Sequence, residues 1–140
     1  MRKCLFLLFA LFPTILSAAA TLTPTAITSI YDGDTFTVNL AGCPAVLCER
    51  ISVRINGIDA PEMRGKCAQE KEKARQAKQF LVGKLRSGKV LELRNVERDK
   101  YFRLRADVFV DGADVGMEML NKSLVRQYDG GKRGGWCGLG

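Results

Sequence analysis

Between Arg54 and Glu62 the chain reads Arg-Ile-Asn-Gly-Ile-Asp-Ala-Pro-Glu, which gathers an arginine and two carboxylates within nine residues. Apolar Ile51, Val53 and Ile55 alternate with polar Ser52, Arg54 and Asn56, the period of a half-buried strand. The next apolar residue, Ile58, breaks the phase, so Gly57 is expected to permit a bulge or kink that shifts the register by one. That shift sets Arg54, Asn56 and Asp59 on one face. Pro61 has no N–H with which to extend an interior strand, so the chain should leave the sheet near Ala60 and present Glu62 from a fixed turn. The sequence contains no histidine, which excludes Ser-His-Asp and Cys-His nucleophiles, histidine-ligated zinc and a histidine general base. Acid–base chemistry at this strand end must therefore fall to carboxylates, lysines, tyrosines or metal-bound water.

The elements around this segment are mostly strands. Ala26 to Tyr31 reads as a first strand, Asp32-Gly33 as a tight turn, and Phe36, Val38 and Leu40 as the buried face of a second strand. Asp34 shares the phase of that apolar face, which would be costly deep in a core but is reasonable at the open end of a barrel. Cys43 to Cys48 form a small loop, and Glu49 to Ile58 a third strand. From Cys67 to Arg86 the residues Ala74, Ala77, Phe80, Leu81 and Leu85 recur at helical spacing, with a charged face turned to solvent. Val90 to Val96 is a fourth strand and Asp99-Lys100-Tyr101 a turn. A fifth strand points Leu104, Ala106, Val108 and Val110 inward, and Val115 to Leu120 is a short second helix before a basic, Gly-rich tail. Five strands with a long helix between the third and fourth, and a short C-terminal helix, predict a mainly β, α+β chain folded as a partly open OB-fold barrel. An α+β sandwich is the alternative.

At 140 residues there is room for one domain with a single core. The first 20 residues are not expected to join it. Arg2 and Lys3 precede an unbroken apolar run from Cys4 to Phe12, then Pro13 and Ser17-Ala18-Ala19-Ala20, the layout of a secretory signal peptide cleaved after Ala20, with Ala18 or Ala19 as other cut sites. The run is too short to span a bilayer; a buried N-terminal helix is the alternative. The predicted domain is 21–140. Removing the leader takes two of 22 basic residues and none of 15 acidic ones, leaving a net charge of +5. That basicity suits nucleic acid, anionic membrane surfaces or simple solubility. Of five cysteines, Cys4 leaves with the leader. Cys43, Cys48, Cys67 and Cys137 remain, an even set that allows three disulfide connectivities and agrees with export to periplasm or medium. Their spacings lack the paired short knuckles of a four-cysteine zinc site.

Three ordered segments, Asp32-Gly33-Asp34-Thr35, Arg54-x4-Asp59-Ala60-Pro61-Glu62 and Asp99-Lys100-Tyr101-Phe102-Arg103, resemble the thermonuclease (staphylococcal nuclease-like) family, here as a secreted bacterial member. The resemblance covers nearly the whole mature chain. It implies an OB-fold, calcium-dependent phosphodiesterase that acts on DNA and RNA and leaves 3′-phosphates. Carried over residue by residue, Asp34 and Asp59 become calcium carboxylates and the Ala60 carbonyl a further ligand, where the family often has threonine. Glu62 becomes the general base. Arg54 and Arg103 become the pair that grips the phosphate and its extra transition-state charge, a task suited to a bidentate donor. Lys100 and Tyr101 fall where the family binds a terminal phosphate and stacks on the nucleotide, and Tyr128 is a further candidate there. Phe102 departs from the pattern, standing where the family commonly has glycine.

Taken singly, Asp34 reads as a turn acid, Arg54 or Arg103 as a strand-surface charge and Glu62 as a solvated loop residue; their joint occurrence carries the catalytic reading. A non-catalytic OB-fold module that binds nucleic acid is the alternative function. No membrane association of the mature form and no protein partner is implied, so a monomer is expected. The short gap favours a Cys43–Cys48 staple, which leaves Cys67, just beyond Glu62, to tie the Gly-rich tail against the catalytic side through Cys137.

Overall fold

The computed structural model describes residues 20–138, so the expected leader, apart from Ala20, lies outside the described residues. The elements, in chain order, are β1 (Ala26–Ile30), β2 (Thr35–Asn39), α1 (Ala45–Cys48), β3 (Ile51–Ile55), β4 (Ile58–Asp59), α2 (Ala68–Ser87), β5 (Leu91–Arg98), β6 (Leu104–Val110), β7 (Ala113–Asp114), α3 (Val115–Asn121) and β8 (Arg126–Gln127). The five principal strands form one curled sheet in the order β1-β2-β3-β6-β5, with β7 added to β6. This is the expected OB-fold, an α+β chain whose long helix follows the first three strands. The α+β sandwich is not formed.

Period-2 burial explains the strands. Phe36 and Val38 on β2, Val53 and Ile55 on β3, Leu93 on β5, and Leu104, Ala106, Val108 and Val110 on β6 all turn into the same core. The sheet closes over that core with Ala77, Leu81 and Leu85 of α2 and Val115 and Met119 of α3. Most neighbouring strands are antiparallel, but β3 and β6 run parallel, with Val53 opposite Leu104 and Arg54 opposite Arg105. That pairing brings the start of β6, and with it Arg103, beside the strand that carries Arg54.

Two glycines shape the site end of the barrel. Gly57 adopts φ +72° and splits the expected third strand into β3 and β4, which is the phase break read from the sequence. Gly33 has an ordinary φ; a Cβ there would lie 2.6 Å from the Ala77 Cβ and 3.1 Å from that of Ala60. The β1–β2 turn can therefore sit directly on α2 only if this residue has no side chain. Both expected disulfides, Cys43–Cys48 and Cys67–Cys137, are formed, with Cα–Cα separations of 6.0 and 6.1 Å. No helix among the described residues is long and apolar enough to cross a membrane.

Candidate active site

The site is built where the β1–β2 turn, the end of β3 and β4 meet. Asp34 precedes β2, and its phase with Phe36 and Val38 buries it to 1% exposure. Its carboxylate is fully engaged. Oδ1 accepts from the Thr35 hydroxyl at 2.8 Å and from Arg54 Nη1 at 3.0 Å, and Oδ2 accepts from the Ala60 N–H at 2.9 Å. Thr35 lies opposite Arg54 in the β2–β3 register, so the sheet itself sets the Asp34–Arg54 distance. The second guanidinium nitrogen of Arg54 donates to the Ile58 carbonyl at 3.4 Å and lies 3.6 Å from Asp59 Oδ1. One buried arginine thus bridges the two expected metal carboxylates, and its charge offsets part of their mutual repulsion.

Asp59 is equally buried, and three arginines surround it. Arg126, opposite it in the β4–β8 pairing, donates from Nε and Nη2 to Oδ2 at 3.1 and 2.9 Å. Arg133 Nε lies 2.8 Å from Oδ1, yet Oδ1 receives no hydrogen bond from any described group. A buried carboxylate oxygen in that condition is an acceptor available to a cation. Ala60 is buried beside it.

Glu62 stands at the rim, its side chain 47% exposed and paired with Arg133 Nη1 at 2.6 Å. Its loop is fixed from behind by Glu70, a buried acid in the first turn of α2. Glu70 accepts from the Glu62 N–H at 3.3 Å and the Lys66 N–H at 2.9 Å. The N-cap of α2 is Cys67, whose sulfur accepts from the Glu70 N–H, an arrangement related to the capping box.

Across the opening, Arg103 leads into β6 and is held by Asp99. The carboxylate of Asp99 accepts from Arg103 Nε at 2.9 Å and from the backbone N–H of both Tyr101 and Arg103. Partial burial pushes the Asp99 carboxyl up, but these hydrogen bonds and the guanidinium charge outweigh it and hold it below the usual range. Arg54, Lys100, Tyr101, Arg103, Tyr128 and Arg133 line one cleft of about 760 Å³. Tyr101 is well exposed there, whereas the Tyr128 hydroxyl donates to the Gly131 carbonyl at 2.8 Å and so pins the tail. All of the sequence-predicted catalytic, metal and substrate candidates therefore converge on one region.

Asn56 does not converge with them. β3 ends at Ile55, so parity no longer governs Asn56, and its side chain donates to Asp107 at 3.2 Å. Four contributors escaped the sequence reading: Asp32, Glu70, Arg126 and Arg133. Asp32 opens the Asp32-Gly33-Asp34-Thr35 segment. It is buried against Asp34, accepting that residue's N–H at 3.1 Å; burial and the Asp34 charge push its carboxyl up to about 7, against that hydrogen bond. The arginines come from a tail whose pairing with Asp59 and Glu62 spans about 70 residues, and no local pattern announces it.

Asp34 and Asp59 offer oxygen donors, the type a hard divalent cation takes, and Asp59 Oδ1 is left without a hydrogen bond, although Arg54, Arg126 and Arg133 neutralise much of their charge. Among the described residues, the one trio of His, Cys, Asp or Glu side chains whose ligand atoms all lie within 4.8 Å of one another is instead Cys67, Glu70 and Cys137. It is not a thiolate site, because its two sulfurs are bonded to each other.

Fold and site together define an OB-fold protein with a buried carboxylate–arginine centre facing a basic, tyrosine-bearing cleft. Residues 52–132 match the family described as staphylococcal nuclease homologue, and the chain belongs to that family. It is similar to a probable endonuclease of Schizosaccharomyces pombe, with 40% identity over 59% of this chain and 38% of that protein. It is also similar to a probable staphylococcal-like nuclease of Oryza sativa subsp. japonica, at 34% identity over 59% of this chain and 23% of the relative. A probable endonuclease of Phaeosphaeria nodorum is 31% identical over 57% and 28% of the two chains. The chain spans well under half the length of each of these fungal and plant relatives.

Proposed function

We propose that this protein is a secreted bacterial nuclease that hydrolyses phosphodiester bonds of DNA and RNA with calcium, leaving 3′-phosphates. The observation that carries the reading is the buried Asp34–Arg54–Asp59 bridge with an unsatisfied Asp59 oxygen, opening onto a cleft that holds Arg103, Lys100 and Tyr101. Asp34, Asp59 and the Ala60 carbonyl would hold the calcium ion, which supplies positive charge to polarise the phosphate. Arg54 acts as a fork preset by Asp34, and Arg103 as a fork preset by Asp99; between them they grip non-bridging oxygens whose charge grows in the pentacoordinate transition state. Glu62, exposed at the rim, takes the proton of the attacking water as its oxygen bonds phosphorus and the bond to the 5′ oxygen breaks. The leaving oxygen takes a proton from solvent to become a 5′-hydroxyl, and the phosphate stays on the 3′ side. Tyr101 offers a π-face to any base and Lys100 a charge to a neighbouring phosphate, so contact there favours single strands without sequence choice.

The leader-like segment and the two disulfides support export to an oxidising compartment. Incubation of purified mature protein with plasmid and with RNA, in calcium or in chelator, tests the proposal. Cleavage of both substrates in calcium alone, with 3′-phosphate ends, is expected. Binding without cleavage in calcium would instead make the chain a nucleic-acid-binding module.

A further inference from the structure

The Gly-rich tail is the part of the chain that the proposed reaction leaves unused, and it is fastened over the site rather than trailing from it. Arg126 donates to the Gly134 and Gly135 carbonyls and lies 4.2 Å from the Trp136 ring centroid. Tyr128 holds Gly131, and Cys137 is bonded to Cys67 at the start of α2. With backbone anchored on both sides, Arg133 projects onto Asp59 and Glu62 while also lining the cleft that contains Arg54, Lys100, Tyr101 and Arg103. Its side chain is 40% exposed, so it can change rotamer without unfolding anything.

Granted the carboxylate site proposed above, we propose that Arg133 is a further substrate-positioning residue. It rests on Asp59 and Glu62 in the ligand-free protein and swings to a phosphate of the bound nucleic acid when the cation enters. Two observed contacts and the charges expected around them favour two positions over one. The Nε of Arg133 is 2.8 Å from Asp59 Oδ1, but that oxygen receives no hydrogen bond, so the contact is charge against charge and is not locked by direction. A dication on the same carboxylate would repel the guanidinium from it. The other contact, Arg133 Nη1 to Glu62 Oε1 at 2.6 Å, occupies an oxygen of the proposed base, so departure of Arg133 leaves that oxygen free to meet a water. The nearest new anion is a phosphate in the adjoining cleft, where a planar fork binds two oxygens at once.

The test is a pair of titrations on wild type, Arg133→Gln and Lys132→Gln, the last removing an equal charge from the neighbouring tail position. In calcium, a nucleoside 3′,5′-bisphosphate that cannot be cleaved should bind Arg133→Gln about tenfold more weakly than wild type, the loss expected for one charge-assisted contact. In the absence of nucleotide, calcium should bind the same variant several-fold more tightly, because its competitor is gone. Lys132→Gln should change both far less. Opposite signs for the two ligands distinguish a moving cation from a tail-packing residue, whose loss would weaken both. Unchanged bisphosphate affinity in Arg133→Gln, or loss of both affinities together, overturns the inference and leaves the nuclease reading standing. Failure of wild type to bind calcium at all removes that reading and the inference with it.

Discussion

Arg54 and Arg103 face the same cleft, but their settings differ in a way that separates binding from turnover. Arg103 is partly exposed and paired with Asp99 four residues away, and Asp99 keeps two backbone N–H donors without it, so the contact is worth on the order of 1 kcal/mol to the fold. Arg103→Ala should therefore melt near wild type. Its turnover should fall about 100-fold or more, the loss typical of one donor aimed at transition-state charge, while affinity for an uncleavable oligonucleotide changes little. Arg103→Lys should resemble the alanine variant because it keeps the charge and loses the fork. Lys100→Ala should do the reverse, weakening binding and flattening its salt dependence with turnover at saturation largely kept. Near-normal turnover in Arg103→Ala would reassign that residue to docking. Asp32 makes a second prediction, on pH. Its folded carboxyl is raised to about 7, whereas in the unfolded chain it titrates near 4. Between those values the native state holds a proton that the unfolded state has released, so stability falls as pH rises through the window. In chelator, thermal melts of wild type should drop from pH 4.5 to 7.5 more steeply than those of Asp32→Asn. Equal slopes would remove Asp32 as the source.

The turn before β6 carries its own cost. Phe102 occupies φ 59° and is largely exposed, so the chain keeps the left-handed conformation that suits a glycine and forces a bulky side chain into it. Phe102→Gly should relieve that strain. Part of the gain is offset by the freedom glycine has in the unfolded chain, leaving a net stabilisation of about 0.5 kcal/mol. Phe102→Ala retains a Cβ at the same φ and should gain nothing. A higher melting temperature in the alanine variant than in the glycine one would show that the aromatic ring, not the backbone, was the burden. This turn also marks how far the sequence could be read. The principal strands, α2 and α3 announce themselves by periodicity, and Asp34 by sharing the phase of Phe36 and Val38. The two-residue strands β4, β7 and β8 are too short to carry a period, and α1 is a single turn inside a disulfide loop. The parallel β3–β6 contact joins residues about 50 apart, so no local pattern records it. Arg126 and Arg133 were missed for the same reason, and Asn56 was misassigned because an alternation rule was carried one residue past the end of its strand.

The two disulfides act on very different lengths of chain. Cys43–Cys48 closes a separation of 5 residues and Cys67–Cys137 one of 70, so the chain-entropy model assigns about 2 kcal/mol to the first and about 4 to the second. Position widens the contrast. The short bridge staples α1 at the edge of the barrel, whereas the long one ties the end of the tail to the cap of α2, beside the Glu70 that holds the Glu62 loop. Cys67→Ser/Cys137→Ser is a clean way to cut it, because a serine hydroxyl is a good N-cap and can accept the Glu70 N–H in place of sulfur. The helix start then survives and the loss reports the bridge. This double variant should melt well below wild type and below Cys43→Ser/Cys48→Ser. At a temperature where all three proteins are folded, it alone should lose bisphosphate affinity in calcium, by nearly as much as Arg133→Gln, because the tail is no longer fastened over the cleft. If cutting the long bridge lowers the melting temperature yet leaves nucleotide affinity unchanged, the hydrogen bonds from Arg126 and Tyr128 suffice to hold the tail, and the disulfide serves stability alone.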